Sequence, residues 1–595
     1  MNHRGVTHKT FSLLFRASRP MFCLFLFFEV AFCLIPIACA KLIAQIVDLF
    51  ADHSGGLSAQ LATVALFYIA LTIAIQVLSP IRSYVADRYA DVVAKDSEVL
   101  LAKKLTLFFT VTFFEDHAFY NDMQLAKGGC GARLISQLQM ISSILRGVIT
   151  IATTAGLMLR IHWAIGLLAL CALIPNAYYS FWAAKHRVAL FRSRSESARK
   201  LAYFSHILGA PDFAKEIRLY RIGDYILNLY RGLFDAEYRR INKVRRRQCA
   251  IGLATGALAA IANGVGLYWF IALSVRGQAS PGGIVLYISL LPQFIGGLQM
   301  LINGYAQGRE NNLYIQHFID FLERDSGEVD GTLGMGDEGL QQLAVTDLSF
   351  RYPGAQRNAL TSVSFAVTSP ALVAVVGENG SGKSTLIKLL MRLFDATSGQ
   401  IAYNHRDIRD YQIEPLRRRM SGVFQDPARF AFSLRENLRL GDIDAPTSQE
   451  ALLAAARQAD LTSLIESLPA GLDTLLEKQF EGGTELSGGQ WQKVSLARAF
   501  YASADILFFD EASSDLDPVA EQAFYHNVRI AAANKIAFYI THRLSGTKDA
   551  DLILVLQNGE LVESGTHDGL MQRSGEYARL YTAQASGYDY AGVAT

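Results

Sequence analysis

The chain has 595 residues, too many for one hydrophobic core; at roughly 100 to 200 residues per domain, two or more folding units are expected. Charged residues make up only 18% and hydrophobic ones 51%, which excludes a disordered or collagen-like chain and argues against a wholly soluble one. The net charge of +2 hides an asymmetry: residues 1–325 carry 33 Lys and Arg against 20 Asp and Glu, a net +13, and residues 326–595 carry 23 against 34, a net −11. A basic, apolar part joined to an acidic, polar part predicts a membrane domain over 1–325 and a soluble domain over 326–595.

Six apolar stretches approach the roughly 20 residues needed to span a bilayer core: 21–47, 57–81, 134–159, 161–184, 248–275 and 281–303. Lys and Arg crowd the N-terminus, 82–133 and 185–247, and the other connections hold at most one each, so the positive-inside rule places the N-terminus and the acidic half in the cytosol. Helical spacing of apolar residues continues through both long basic segments, so the spans are expected to extend as helices beyond the membrane. Ala38-Cys39-Ala40 imitates a signal-peptide cleavage site, but the run around it is too long and contains Glu29 and Pro36, so a first span fits better. With that span beginning near Met21, no peptidase domain is expected ahead of it.

The six cysteines, Cys23, Cys33, Cys39, Cys130, Cys171 and Cys249, form no Cys-x-x-Cys pair and read as packing residues. The basic run Tyr238 to Arg247 directly precedes a span, so lipid headgroups and topology explain it and no nucleic acid partner is expected. Glu29 is an expensive group inside a span; it faces either substrate or a structural partner. Asn263, Gln293, Gln299 and Asn303 are candidates to line the same substrate cavity, with hydrogen bonding between helices as the competing role.

In the acidic half, Gly377-Glu378-Asn379-Gly380-Ser381-Gly382-Lys383-Ser384-Thr385 fits G-x-x-x-x-G-K-[ST] between the apolar run Leu372 to Val376 and the helical run Leu386 to Phe394. Glycines let backbone amides curl around phosphate oxygens, Lys383 is placed to reach the β and γ phosphates, and Ser384 to ligate Mg²⁺. A second apolar strand, Ile506 to Phe509, ends in Asp510-Glu511: one carboxylate for the Mg²⁺ shell, the other to orient and deprotonate the attacking water.

Leu486-Ser487-Gly488-Gly489-Gln490 lies between them, and the three motifs together resemble the ATP-binding cassette (ABC) family, with a six-span domain ahead of the cassette as in exporter half-transporters. The resemblance implies an α-helical membrane domain plus an α/β P-loop NTPase domain. It further implies that Tyr352 stacks on adenine, that Gln425 contacts Mg²⁺ and couples to the membrane domain, and that Ser514 to Asp517 form the D-loop. His542 then matches the switch histidine, and Ser487 and Gly489 hold the γ-phosphate of ATP on the opposite subunit. Stretches near Ala118 to Gln124 and Lys215 to Ile222 match the coupling helices. Ala512-Ser513, Asp515 and the stretch Lys478 to Glu485 depart from the commonest family pattern without removing a catalytic group.

The expected protein is a membrane ATPase that exports a peptide, lipid or drug-like substrate as a dimer. A second identical or different half-transporter and membrane lipids are its partners, and an ATP-gated channel is the alternative. An importer is disfavoured because that class usually separates spans and cassette onto different chains, and a soluble cassette protein is disfavoured by the six apolar runs.

Overall fold

A computed structural model describes residues 3–52, 59–161, isolated positions between 163 and 182, and 195–325. It continues through 328, 330–336, 339–446, 448–478, 481–513 and 518–589. The chain divides into two compact units, one formed by Met1–Leu105 with Asn121–Arg324, the other by Thr106–Tyr120 with Asp325–Thr595.

The first unit is helical. Among the described residues, five helices are long and apolar enough to cross a membrane: Arg19–Asp52, Ala59–Thr106, Ala132–Ile161, Gly223–Val275 and Pro281–Glu323. The expected fourth span, 161–184, lies largely outside the described residues, as does Cys171. The 48 residues of Ala59–Thr106 and the 53 of Gly223–Val275 would extend about 72 and 80 Å at 1.5 Å per residue, more than twice the hydrocarbon thickness of a bilayer. Helices of this length account for the helical spacing that runs on through the basic segments. Pro281 and Ser280 start the last of them, where the Ser280 hydroxyl accepts from the Gly283 amide. Asp48, near the end of the first long helix, accepts from the Gly282 amide at 2.6 Å and the Ser280 hydroxyl at 3.1 Å, tying two helices together at one end.

The second unit is an α/β domain. Its strands are β1 (Gln342–Phe350), β2 (Leu360–Thr368), β3 (Ala371–Val376), β4 (Ser398–Tyr403), β5 (Arg406–Asp407) and β6 (Met420–Val423). They continue with β7 (Ile506–Asp510), β8 (Ile536–Ile540), β9 (Leu552–Gln557) and β10 (Glu560–Gly565). A four-stranded antiparallel sheet runs β2-β1-β4-β5, and a six-stranded sheet runs β10-β9-β3-β8-β7-β6, parallel except for β10. Because successive strand residues face opposite ways, β3 feeds two cores: Leu372, Ala374 and Val376 join a helical layer with Trp491, Val494 and Leu496, whereas Val373 and Val375 pack with Leu343, Val363 and Leu386. Burial on both faces explains why β3, β7 and β8 read as unbroken apolar runs.

Residues 108–111 also belong to this unit. The Phe109 and Thr110 amides donate to the two carboxylate oxygens of Glu328 at 2.9 and 2.8 Å, and the Val111 amide donates to the Leu393 carbonyl at 2.8 Å. Arg417 donates to the Phe109 carbonyl at 2.6 Å, and the fully buried Arg392 lies 5.8 Å from the Phe109 ring centre. The attachment of this segment to the α/β domain therefore begins upstream of the expected Ala118 to Gln124. The second expected coupling stretch falls on the helix Pro211–Leu219 and the turn that follows it.

Candidate functional site

A cleft opens at the carboxyl ends of β3, β7 and β8. In-register pairing sets Val375 beside Ile540 and Ile540 beside Asp510, so the residues just past each strand converge although they are far apart in sequence. The cleft encloses about 810 Å³ and is lined by Tyr352, Ala359, Asn379 to Thr385, Gln425, Glu511 and His542.

The loop after β3 makes its turn with three positive-φ glycines, Gly377, Gly380 and Gly382. A side chain at Gly377 would meet the Leu556 carbonyl, and one at Gly382 would meet Leu360 and the Ala359 carbonyl, so both positions require glycine for space as well as for conformation. The helix Lys383–Leu390 starts on this loop with no side-chain cap, and its first residues, Lys383 to Thr385, line the cleft, where the free amides of a helix start favour an anion. Lys383 is almost fully buried, and its ammonium donates to the Gly377 and Glu378 carbonyls at 2.9 Å each. Burial lowers its pKa, while Glu511 and Asp510 oppose that shift. The Ser381 hydroxyl is buried in the cleft wall with no hydrogen-bond partner among the described residues. A loop of amides, a buried ammonium and an orphan hydroxyl make a receptor for a polyphosphate. Gly377 and Glu378 do not line the cleft, and the Glu378 side chain pairs with Arg579 at 2.8 Å.

Ser384 and Asp510, 126 positions apart, meet with the hydroxyl donating to the carboxylate at 3.0 Å. Burial pushes the Asp510 carboxyl up, only partly offset by the Ser384 hydrogen bond and by Lys388 and Lys383. A hydroxyl and a desolvated carboxylate at one point, with Gln425 on the same cleft, form an oxygen donor set suited to Mg²⁺. Glu511 follows with φ of +50°, a left-handed conformation costly for a residue with a Cβ and typical of sites held under strain. Its amide donates to the Ile540 carbonyl at 3.3 Å and its carbonyl accepts from Gln492 at 3.3 Å. Its Oε1 lies 2.6 Å from His542 Nε2.

Tyr352 contacts Phe350 and Phe394 edge-on and hydrogen-bonds Thr385 through its hydroxyl at 3.0 Å, which fixes the ring at the cleft wall. Ser487 to Gln490 do not line this cleft. They begin the helix Gly488–Tyr501 with a reciprocal capping box: Ser487 Oγ accepts from the Gln490 amide, and Gln490 Oε1 from the Ser487 amide. The expected D-loop, Ser514 to Asp517, lies outside the described residues. Next to it, the buried Glu521 accepts from Arg543 at 2.5 Å and from Ser513 at 3.3 Å, and Tyr525 joins Thr541 at 2.7 Å; no sequence motif marked this network.

Of the candidate cavity residues, Glu29 is 1% exposed and is taken up by protein partners. Its carboxylate receives Arg82 at 2.9 Å and Ser142 at 2.6 Å and lies 3.0 Å from Arg146. These contacts supply the partners that the structural role expected for Glu29 requires. Gln293 donates to the Ser289 carbonyl of its own helix, Gln299 and Asn303 are exposed, and Asn263 keeps a buried, unpaired carbonyl oxygen. No hydrogen bond joins these residues to one another or to Glu29 among the described residues.

A glycine-rich phosphate loop, a carboxylate for the cation and a Glu–His pair at the carboxyl ends of parallel strands define a nucleotide-hydrolysing P-loop protein, here on the same chain as a bundle of membrane-length helices. Comparison with known proteins agrees. The family model described as "ABC transporter" matches residues 360–514, and the one described as "ABC transporter transmembrane region" matches 136–298. The chain is 30% identical to the ATP-dependent lipid A-core flippase of Methylococcus capsulatus over 76% of each chain. It is 25% identical to the subtilin transport ATP-binding protein SpaT of Bacillus subtilis over 96% of this chain and 93% of that one. A lipid A-core flippase of Aromatoleum aromaticum is 39% identical over 53% of this chain and 52% of its own. The chain belongs to the ABC transporters: it is a multi-pass membrane protein whose ATPase domain is coupled to transport, and it carries membrane and nucleotide-binding domains in one half-transporter chain.

Proposed function

We propose that this chain is one half of an exporter in the cytoplasmic membrane, with the N-terminus and cassette in the cytosol, and that two copies or two related halves alternate access using two composite ATP sites. The observation that carries the reading is the 2.6 Å contact of His542 with Glu511 in a cleft that also holds Lys383 and the Ser384–Asp510 pair. These groups serve hydrolysis rather than mere nucleotide binding.

In this reading Asn379 to Thr385 hold the phosphates through backbone amides, and Lys383 exchanges its two carbonyl partners for β and γ oxygens. Ser384, Gln425 and Asp510 would hold Mg²⁺, which when bound spreads the phosphate charge. Glu511 orients the attacking water and accepts its proton, with His542 fixing the carboxylate. Tyr352 provides the aromatic wall for adenine. Ser487, Gly488, Gly489 and Gln490 reach phosphate only when a second cassette presents them, which makes ATP the joint between subunits.

The names of the relatives, a lipid A-core flippase and a subtilin transport protein, support an amphipathic lipid or peptide as substrate. ATP-dependent uptake of such compounds into inverted membrane vesicles tests the proposal, with Glu511→Gln as control. Uptake that survives loss of hydrolysis, or ATPase activity that no amphiphile alters, would sink it.

A further inference from the structure

His542 lies on the short connection between β8 and the turn Leu544–Thr547, a stretch with little regular structure of its own. The helix Glu576–Asp589 packs against that turn. Tyr577, fully buried, places its hydroxyl 2.7 Å from that of Thr547 and 2.7 Å from His567 Nδ1. Lys548 lies 5.8 Å from the Tyr581 ring centre.

One turn further along, Gln584 spans the switch residue itself. Its amide nitrogen donates to the His542 carbonyl and its amide oxygen accepts from the Leu544 amide, each at 2.6 Å. Flipping the amide would set donor against donor and acceptor against acceptor, so the pairing has one orientation. A half-buried glutamine thus supplies the two hydrogen bonds that a neighbouring strand would give to residues 542 and 544. The start of the helix is itself fixed, because Glu563 accepts from the Glu576 and Tyr577 amides at 3.1 and 2.9 Å. The Arg579–Glu378 pair adds a link from the same helix to the phosphate loop, but both side chains are more than half exposed, so it contributes little by itself.

We propose that Gln584 is a positioning residue for ATP hydrolysis: the C-terminal helix holds the His542 backbone so that the imidazole meets Glu511. The proposal rests on the reading of Glu511 and His542 as the hydrolytic pair. Gln584 is not itself part of the nucleotide cleft lining and reaches it only through the His542 backbone, so its loss is expected to act on turnover rather than on binding.

The test uses the full-length protein in lipid nanodiscs with Gln584→Met, which keeps length and removes both hydrogen bonds. Turnover of MgATP is expected to fall about 10- to 100-fold, as misplacing a catalytic group by about 1 Å does, with KM and the affinity for a fluorescent ATP analogue held within about twofold. In a His542→Ala background the same substitution is expected to change the residual single-turnover rate by less than about twofold, because its effect passes through the missing imidazole. Gln584→Glu, which still accepts from Leu544 but repels the His542 carbonyl, is expected to lose turnover too and serves if Gln584→Met proves unstable. Wild-type turnover by either folded variant, or an undiminished loss in the His542→Ala background, overturns the proposal. Glu511→Gln run alongside separates the two readings: hydrolysis that survives it overturns the assignment of the site, whereas loss there with full turnover at Gln584→Met overturns only the role of the helix.

Discussion

Glu511 Oε1 and His542 Nε2 lie 2.6 Å apart although 31 residues separate them, and the join is made by the parallel pairing of β7 with β8. The left-handed backbone at Glu511 aims its carboxylate into the cleft. Glu511→Gln is therefore expected to lower phosphate release about 10²- to 10⁴-fold, the usual contribution of a positioned general base. ATP binding, read by equilibrium titration, should persist.

Asp510 makes the nucleotide-free protein sensitive to pH. Its carboxyl is raised mainly by burial, so the folded state favours the proton; stability is fully present below the unfolded pKa and is lost as pH rises through the raised folded value. Asp510→Asn removes this titration. The variant should melt above wild type at pH 8 without nucleotide, the gap should narrow toward acid pH, and Mg-ATP hydrolysis should fall to background. Thermal denaturation across pH, in parallel with an ATPase assay, measures all three.

Glu29 neutralises two guanidiniums within the helical unit. Glu29→Gln leaves Arg82 and Arg146 without a carboxylate and is expected to destabilise by about 2 to 3 kcal/mol, below the range for fully buried pairs because both arginines keep about a quarter of their side-chain exposure. Adding Arg82→Gln should recover part of the loss. Fluorescence-detected melting in detergent gives the comparison.

Glu328 holds the Phe109 and Thr110 amides with both carboxylate oxygens. Glu328→Ala leaves two amides unsatisfied and should cost about 1 to 3 kcal/mol, visible as a lower melting temperature of the nucleotide-bound protein. Because this segment continues from the long helix Ala59–Thr106, we expect the variant to hydrolyse ATP with less response to added amphiphile.

Ser487 caps the helix Gly488–Tyr501, so Ser487→Ala should cost about 0.5 to 2 kcal/mol of stability. If Ser487 to Gln490 complete the partner's site, the variant should also lose ATP-dependent association of cassettes, measurable by cross-linking or light scattering of the Glu511→Gln protein with and without ATP.

The phosphate loop was legible because its chemistry is contiguous: glycines, lysine and serine act within nine residues, and the strand and helix around them are announced by apolar runs. Asp510-Glu511 was legible as a strand end, and the membrane helices as long apolar stretches bounded by basic segments. Contacts between distant positions carry no such mark. The role of Glu29 stayed open between substrate and pairing because its partners lie 53 and 113 or more residues away, and only helix packing brings Arg82 and Ser142 to it. Gln584 is one polar residue among many on a helix.

Local amino-acid pattern alone determined which segments are helix, strand or phosphate loop, since backbone conformation and amphipathicity are set within a few residues. Tertiary structure decided which side chains share a point in space: Ser384 with Asp510, His542 with Glu511 and Gln584, Glu328 with Phe109. Those meetings depend on sheet order and helix packing, and free energies of that kind belong to pairs of distant residues rather than to any one stretch of chain.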